Sequence, residues 1–186
     1  MTTVIFVPGW GDSPPGHWQR DWFDEATAAG QGPVWVTQRD WEGPDPGAWV
    51  EALAERVAAA PAGAPLALVA HSLGVLVVLR WAARRPEVAA SRVAGALLVA
   101  APDPAGPAFP DVLPWGEAES AALPFPATLV SSDDDPYAAP DWSAARAGEW
   151  GARHVVLPAA GHLNAAAGFG PWPRSRELLA DVLRRP

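Results

Sequence analysis

Residues 65–85 constrain the fold of this chain more than any other stretch. Pro65-Leu66-Ala67-Leu68-Val69 is a short apolar run opened by proline, the pattern of a buried strand. Five residues later, beyond Ala70-His71-Ser72-Leu73-Gly74, the chain reads as a helix through Val75-Leu76-Val77-Val78-Leu79-Arg80-Trp81-Ala82-Ala83-Arg84-Arg85. A serine on so sharp a strand-to-helix turn has its hydroxyl lifted clear of the sheet. The turn also aims the first N–H groups of the helix, and their partial positive charge, at whatever the hydroxyl touches. That is the geometry of a nucleophile elbow, and it points to acyl transfer by Ser72.

The rest of the chain supplies a frame for that turn. Short apolar runs alternate with helical patterns, which argues for βαβ units and a parallel sheet. Strands are predicted at 3–8, 33–37, 65–70, 93–99, 126–131 and 153–157. Helices are predicted at 17–29, 46–60, 73–85, 140–149 and 173–184. The helix from 46 has Asp45 as its cap and Pro46 in its first turn, and Trp49, Val50, Leu53 and Val57 recur on one face. Segment 101–125 is rich in proline; Gly116 to Ala122 suits a short helix within it. A loop of that length inside a compact domain is usually functional, and it follows a strand end, so it is expected to overhang the site. It is too short for a large lid domain, which implies an open, shallow pocket.

At 186 residues the chain is read as one domain, 1–186, long enough for a sound core. Without cysteine it can form neither a disulfide framework nor a thiolate zinc site. The net charge is −8 and the basic residues, all arginine, are scattered, so nucleic-acid binding is disfavoured. The start, Met1-Thr2-Thr3-Val4-Ile5-Phe6-Val7-Pro8, runs straight into a strand pattern and lacks the features of a signal peptide. No apolar stretch reaches the length of a membrane span. A soluble cytoplasmic protein is the expectation. Most of the eleven tryptophans are expected in core and rim packing, with one or two lining an apolar substrate pocket.

In doubly wound sheets ligands sit beyond the carboxyl ends of the strands. Pro8-Gly9-Trp10-Gly11-Asp12, Ser72, Asp103, Asp133-Asp134-Asp135 and His162 all follow predicted strands, so all can converge on one edge. Ser72 is the candidate nucleophile, although serine also caps helices. Ala70 stands where a G-x-S-x-G elbow has its first glycine, and a methyl group is the least intrusive replacement. Of His17, His71, His154 and His162, only His162 follows the last strand, giving the chain order Ser…Asp…His. His17 reads as part of a helix start, and His71 is expected to point away from the hydroxyl.

The acid is open among Asp133, Asp134, Asp135 and Asp103, although Pro136 holds Asp135 extended. No ligand spacing accompanies the three aspartates, so no metal is expected. The oxyanion is assigned to the N–H groups of Leu73 and Trp10, with Gly9, Gly11 and His71 at the substrate. Gly9-Trp10-Gly11 superficially matches a dinucleotide turn, but Pro14 occupies the place of the third glycine.

The chain resembles the small serine hydrolases related to retinoblastoma-binding protein nine. The resemblance is carried by Val7-Pro8-Gly9-Trp10-Gly11, His17-Trp18-Gln19, His71-Ser72-Leu73-Gly74, Ser131-Ser132-Asp133-Asp134-Asp135-Pro136-Tyr137 and Gly161-His162-Leu163-Asn164, with Gly168-Phe169-Gly170-Pro171-Trp172-Pro173 after it. It implies a triad of Ser72, Asp135 and His162, the acid being the aspartate directly before proline. It also implies a compact α/β-hydrolase fold, a three-layer αβα sandwich on a six-stranded parallel sheet of order 2-1-3-4-5-6, without a large lid domain.

The resulting expectation is a serine hydrolase of carboxylic esters or related small acyl compounds, with no cofactor and no membrane or nucleic-acid partner. The rivals are a binding module on a hydrolase scaffold and a thioesterase, amidase or carbon–carbon hydrolase using the same triad. The identity of any protein partner is left open.

Overall fold

Along the apolar strands the side chains alternate faces, and both faces are buried, so the sheet has to be covered on each side by helices. The computed structural model describes residues 2–110 and 113–185; Met1, Pro186 and residues 111–112 of the 101–125 loop lie outside the described residues. Its strands are β1 (Thr3–Val7), β2 (Val34–Trp35), β3 (Leu66–His71), β4 (Val93–Val99), β5 (Ala127–Ser132) and β6 (Arg153–Leu157). They lie in the order β2-β1-β3-β4-β5-β6. All neighbours are parallel, as the resemblance implied.

The helices are α1 (Trp18–Ala28), α2 (Pro46–Ala59), α3 (Leu73–Arg84), α4 (Pro86–Arg92), α5 (Pro140–Trp150) and α6 (Arg174–Leu183). Ile5, Val7, Leu68 and Leu98 face the side covered by α2, α3 and α5. Phe6, Val69, Leu97 and Val130 face the side covered by α1 and α6. The strand order reverses between β1 and β3, which puts the loops after these two strands side by side at the switch point.

Local chemistry sets the helix ends. The Asp45 carboxylate accepts the Ala48 N–H at 2.7 Å, and Pro46 occupies the first turn of α2. Gly151, at φ 66°, closes α5 in the left-handed conformation. Besides a shorter β2 and a 3-10 turn at Ala165–Ala167, two features differ from the sequence reading. Pro86 ends one helix and opens another, α4, of which only Ala89 is buried. Residues 86–92 therefore carry no apolar periodicity to announce a helix. Gly116 to Ala122 forms no helix.

Tryptophan accounts for that second difference. The Trp150 indole N–H donates to the Glu119 carbonyl at 2.6 Å, and the Trp115 indole to Pro44 at 3.1 Å. The same device recurs where Trp18 donates to Leu163 and Trp49 to Asp40. Each of these four rings is essentially fully buried. Loop carbonyls thus find their donors on core side chains instead of along a helix.

Candidate active site

Strand β3 delivers Ser72 at the switch point, and the turn there is tight in a way only certain residues permit. Ser72 has φ 53° and ψ −127°, outside the ordinary range for a residue with a Cβ. Its N–H is tied to the Val99 carbonyl at 2.9 Å, so the strain is held by the neighbouring strand. A Cβ on Gly74 would come within 2.2 Å of the Val7 carbonyl oxygen, and one on Gly9 within 2.8 Å of the Ser72 Cβ. Gly74 is demanded by the backbone of Val7 and Pro8, and Gly9 by the close approach of the Ser72 Cβ. Ala70 is fully buried, and its methyl joins the core on the α3 side of the sheet.

Three side chains form a hydrogen-bonded chain at this turn. His162 Nε2 lies 2.8 Å from Ser72 Oγ. His162 Nδ1 lies 2.9 and 3.0 Å from the two carboxylate oxygens of Asp135. The Asp135 side chain is 1% exposed and also accepts the Tyr137 N–H at 2.9 Å.

The other aspartates are used differently. Asp133 accepts the Ala159 N–H at 2.8 Å, and Asp134 accepts the Gly161 N–H at 2.7 Å. These carboxylates shape the loop that carries His162. The Ser132 hydroxyl, and then the Gly161 N–H, hold the Asp134 carboxyl below its ordinary range. Asp103 accepts the Ala105 N–H in a local turn, and the structure does not bring it to His162.

A layer of neutral histidines backs the site. His71 points away from the Ser72 hydroxyl: its Nε2 sits 3.0 Å from the His162 carbonyl oxygen, which can only accept. That fixes the proton on Nε2. Burial, then the positive potential of His17 and His162, pushes the His71 pKa well down. His17 stacks edge-on against His71 at 4.7 Å. Its Nδ1 accepts the Gln19 N–H, capping α1. Burial, then His162, lowers the His17 pKa to about 4.

An unfolded His17 takes up a proton near pH 6.5, whereas the folded one does so only near 4. Below 6.5 the unfolded chain binds more protons, so stability falls as pH drops through that window. By pH 4.5 the loss from His17 is about 2.5 kcal/mol. His17→Asn retains a capping acceptor and removes the titration. Urea unfolding at pH 7 and 4.5 is expected to show a smaller acid loss in this variant; an equal loss contradicts the account.

A cleft of about 290 Å³ opens over Ser72. Gly11 and His71 border it, whereas Gly9 packs beneath the serine. Pro102, Phe109 and Leu113 form one wall, so segment 101–125 does overhang the site. Among the described residues, the Trp10 and Leu73 N–H groups meet no loop or side-chain acceptor of the protein. His17, Tyr137 and Asn164 also border the cleft and were not singled out as substrate contacts from sequence. The Gly-His-Trp and Asp-Pro-Tyr blocks were the available signals for the first two.

A family model described as serine hydrolase matches residues 4–181. No curated protein gives a significant match to the sequence. Among solved structures, a YdeN-like hydrolase from Pectobacterium atrosepticum is 28% identical over 98% of this chain and 91% of that one, with a TM-score of 0.82. The ydeN product of B. subtilis is 18% identical, with full coverage of both chains and a TM-score of 0.77. A hydrolase of the α/β superfamily from Xanthomonas campestris is 20% identical over 99% of each chain, with a TM-score of 0.68. At such identities the latter two speak for the fold. With the family match running from β1 into α6, the chain belongs to the serine hydrolase family.

Proposed function

We propose that this serine hydrolase cleaves carboxylic esters of small, accessible acyl groups through an acyl-enzyme. The observation that carries the reading is the hydrogen-bonded Ser72–His162–Asp135 chain at a cleft that Trp10 and Leu73 also line. Asp135 accepts a hydrogen bond from the Nδ1–H of His162, which leaves Nε2 free to act as base toward the Ser72 hydroxyl. As Ser72 Oγ attacks the carbonyl carbon, its proton passes to Nε2 and the carbonyl oxygen becomes an oxyanion. The Trp10 and Leu73 N–H groups bind that oxyanion, helped by the N-terminus of α3. Collapse breaks the bond to the leaving oxygen, which takes the proton from His162. Water then attacks the acyl-enzyme with His162 again as base, and Ser72 is released.

The cleft is open, and among the described residues no large lid stands over it to enclose a long acyl chain. Acetyl and butyryl 4-nitrophenyl esters are therefore expected to turn over faster than the palmitoyl ester. Faster hydrolysis of the palmitoyl ester would refute the small-acyl assignment. Cleavage of a matched thioester or amide in preference to the ester would refute the ester assignment. A folded chain that hydrolyses none of them would support the binding-module alternative.

A further inference from the structure

Among the described residues, Trp10 and Tyr137 are the two aromatic side chains left exposed, at 43% and 36%, and both border the cleft. Large apolar surface left in water calls for an explanation when it gathers at a site. The Tyr137 N–H donates to Asp135 and its carbonyl accepts the Asp103 N–H at 2.8 Å, so both adjoining peptide groups are fixed. The ring meets the His162 imidazole edge-on with centroids 4.6 Å apart, and its remaining surface faces the cleft.

The mechanism then assigns that surface a neighbour. His162 Nε2 must reach the leaving oxygen to deliver its proton. A ring packed on His162 consequently borders the alcohol half of the ester, while Trp10, whose own N–H is assigned to the oxyanion, borders the carbonyl. Charge narrows the class further. Among the described residues no arginine borders the cleft, the chain has no lysine, and the one carboxylate there, Asp12, is paired with Arg20 at 3.3 Å. Among the described residues an anionic leaving group would find no arginine at the cleft to pair with.

We propose that Tyr137 walls an alcohol subsite that selects uncharged, ring-bearing leaving groups. This inference rests on the ester-hydrolase reading of Ser72, His162 and Asp135. During collapse of the tetrahedral intermediate the bond from carbonyl carbon to alkoxy oxygen breaks, the oxygen takes the His162 proton, and the neutral alcohol departs along the Tyr137 ring.

The test is kcat/KM for benzyl acetate, ethyl acetate and 4-carboxybenzyl acetate with the native chain, Tyr137→Phe and Tyr137→Ala. The two simple alcohols are similar as leaving groups, so the benzyl-to-ethyl ratio reports binding of the ring. The native chain and Tyr137→Phe are expected to favour benzyl over ethyl by about tenfold, and benzyl over carboxybenzyl by a similar factor. In Tyr137→Ala the benzyl-to-ethyl ratio should fall toward one. A merely structural role beside His162 would slow both acetates equally and leave the ratio intact, which would overturn the subsite. Equal native rates on benzyl and ethyl acetate, or a preference for carboxybenzyl, would overturn it too. Failure of the native chain to hydrolyse any acetate would instead remove the ester-hydrolase reading, and this inference with it.

Discussion

Ser72→Ala is expected to fold normally, to lose all labelling by a fluorophosphonate, and to hydrolyse esters some 10⁵- to 10⁶-fold more slowly. Fluorophosphonates capture only an activated serine, and Ser72 is the one whose hydroxyl lies 2.8 Å from His162 Nε2. His162→Ala should lose nearly as much, because the parts of a triad act as a unit. An adduct that survives on Ser72→Ala by intact mass would place the nucleophile elsewhere. A companion substitution separates chemistry from strain. Ser72 is held at φ 53° and ψ −127°, a region that glycine enters without penalty. Ser72→Gly should therefore be as inactive as the alanine variant yet more stable than it by about 1 kcal/mol. Equal denaturation midpoints would mean that the elbow stores no such strain.

Gly74→Ala carries the largest expected cost in stability. Its added methyl would sit 2.2 Å from the Val7 carbonyl oxygen and 2.7 Å from that of Pro8. Both obstacles are backbone, so no side chain can swing aside; either α3 or the end of β1 has to move. A loss of about 3–5 kcal/mol is expected, with fluorophosphonate labelling impaired as the elbow shifts. Gly148 is the control. It lies in α5 with nothing within 4 Å of a built Cβ, so Gly148→Ala should add about 0.5–1 kcal/mol. Urea denaturation of both variants decides the point, and a Gly74→Ala protein of native stability would refute the close approach.

What could be read in advance follows the range of the interactions. Short apolar runs between helical patterns, the abrupt passage from Val69 to Val75, and Asp45 before Pro46 are local signals, and strands, elbow and α2 are all legible from them. The helix α4 gives no such signal, because one buried alanine makes no periodicity. The loop at 116–122 is decided by Trp150 and other distant groups, so its own composition misleads. The same holds at the site. Local physics left four aspartates in contention, and the resemblance singled out Asp135. The parts played by Asp133 and Asp134 depend on N–H groups in the loop before His162, more than twenty residues further on. His17 advertises only a helix start, yet folding lays its ring beside His71 and into the cleft wall.

The indole ties between buried tryptophans and loop carbonyls bear on timing. Trp18 holds the chain directly after His162, and Trp115 anchors the segment that walls the cleft. Lifting the chain after His162 costs the Trp18 hydrogen bond, and moving the backbone at Trp115 would draw a fully buried ring out of the core. Substrate entry and product exit are then expected to need no large opening of that segment, and a kcat independent of solvent viscosity would bear this out.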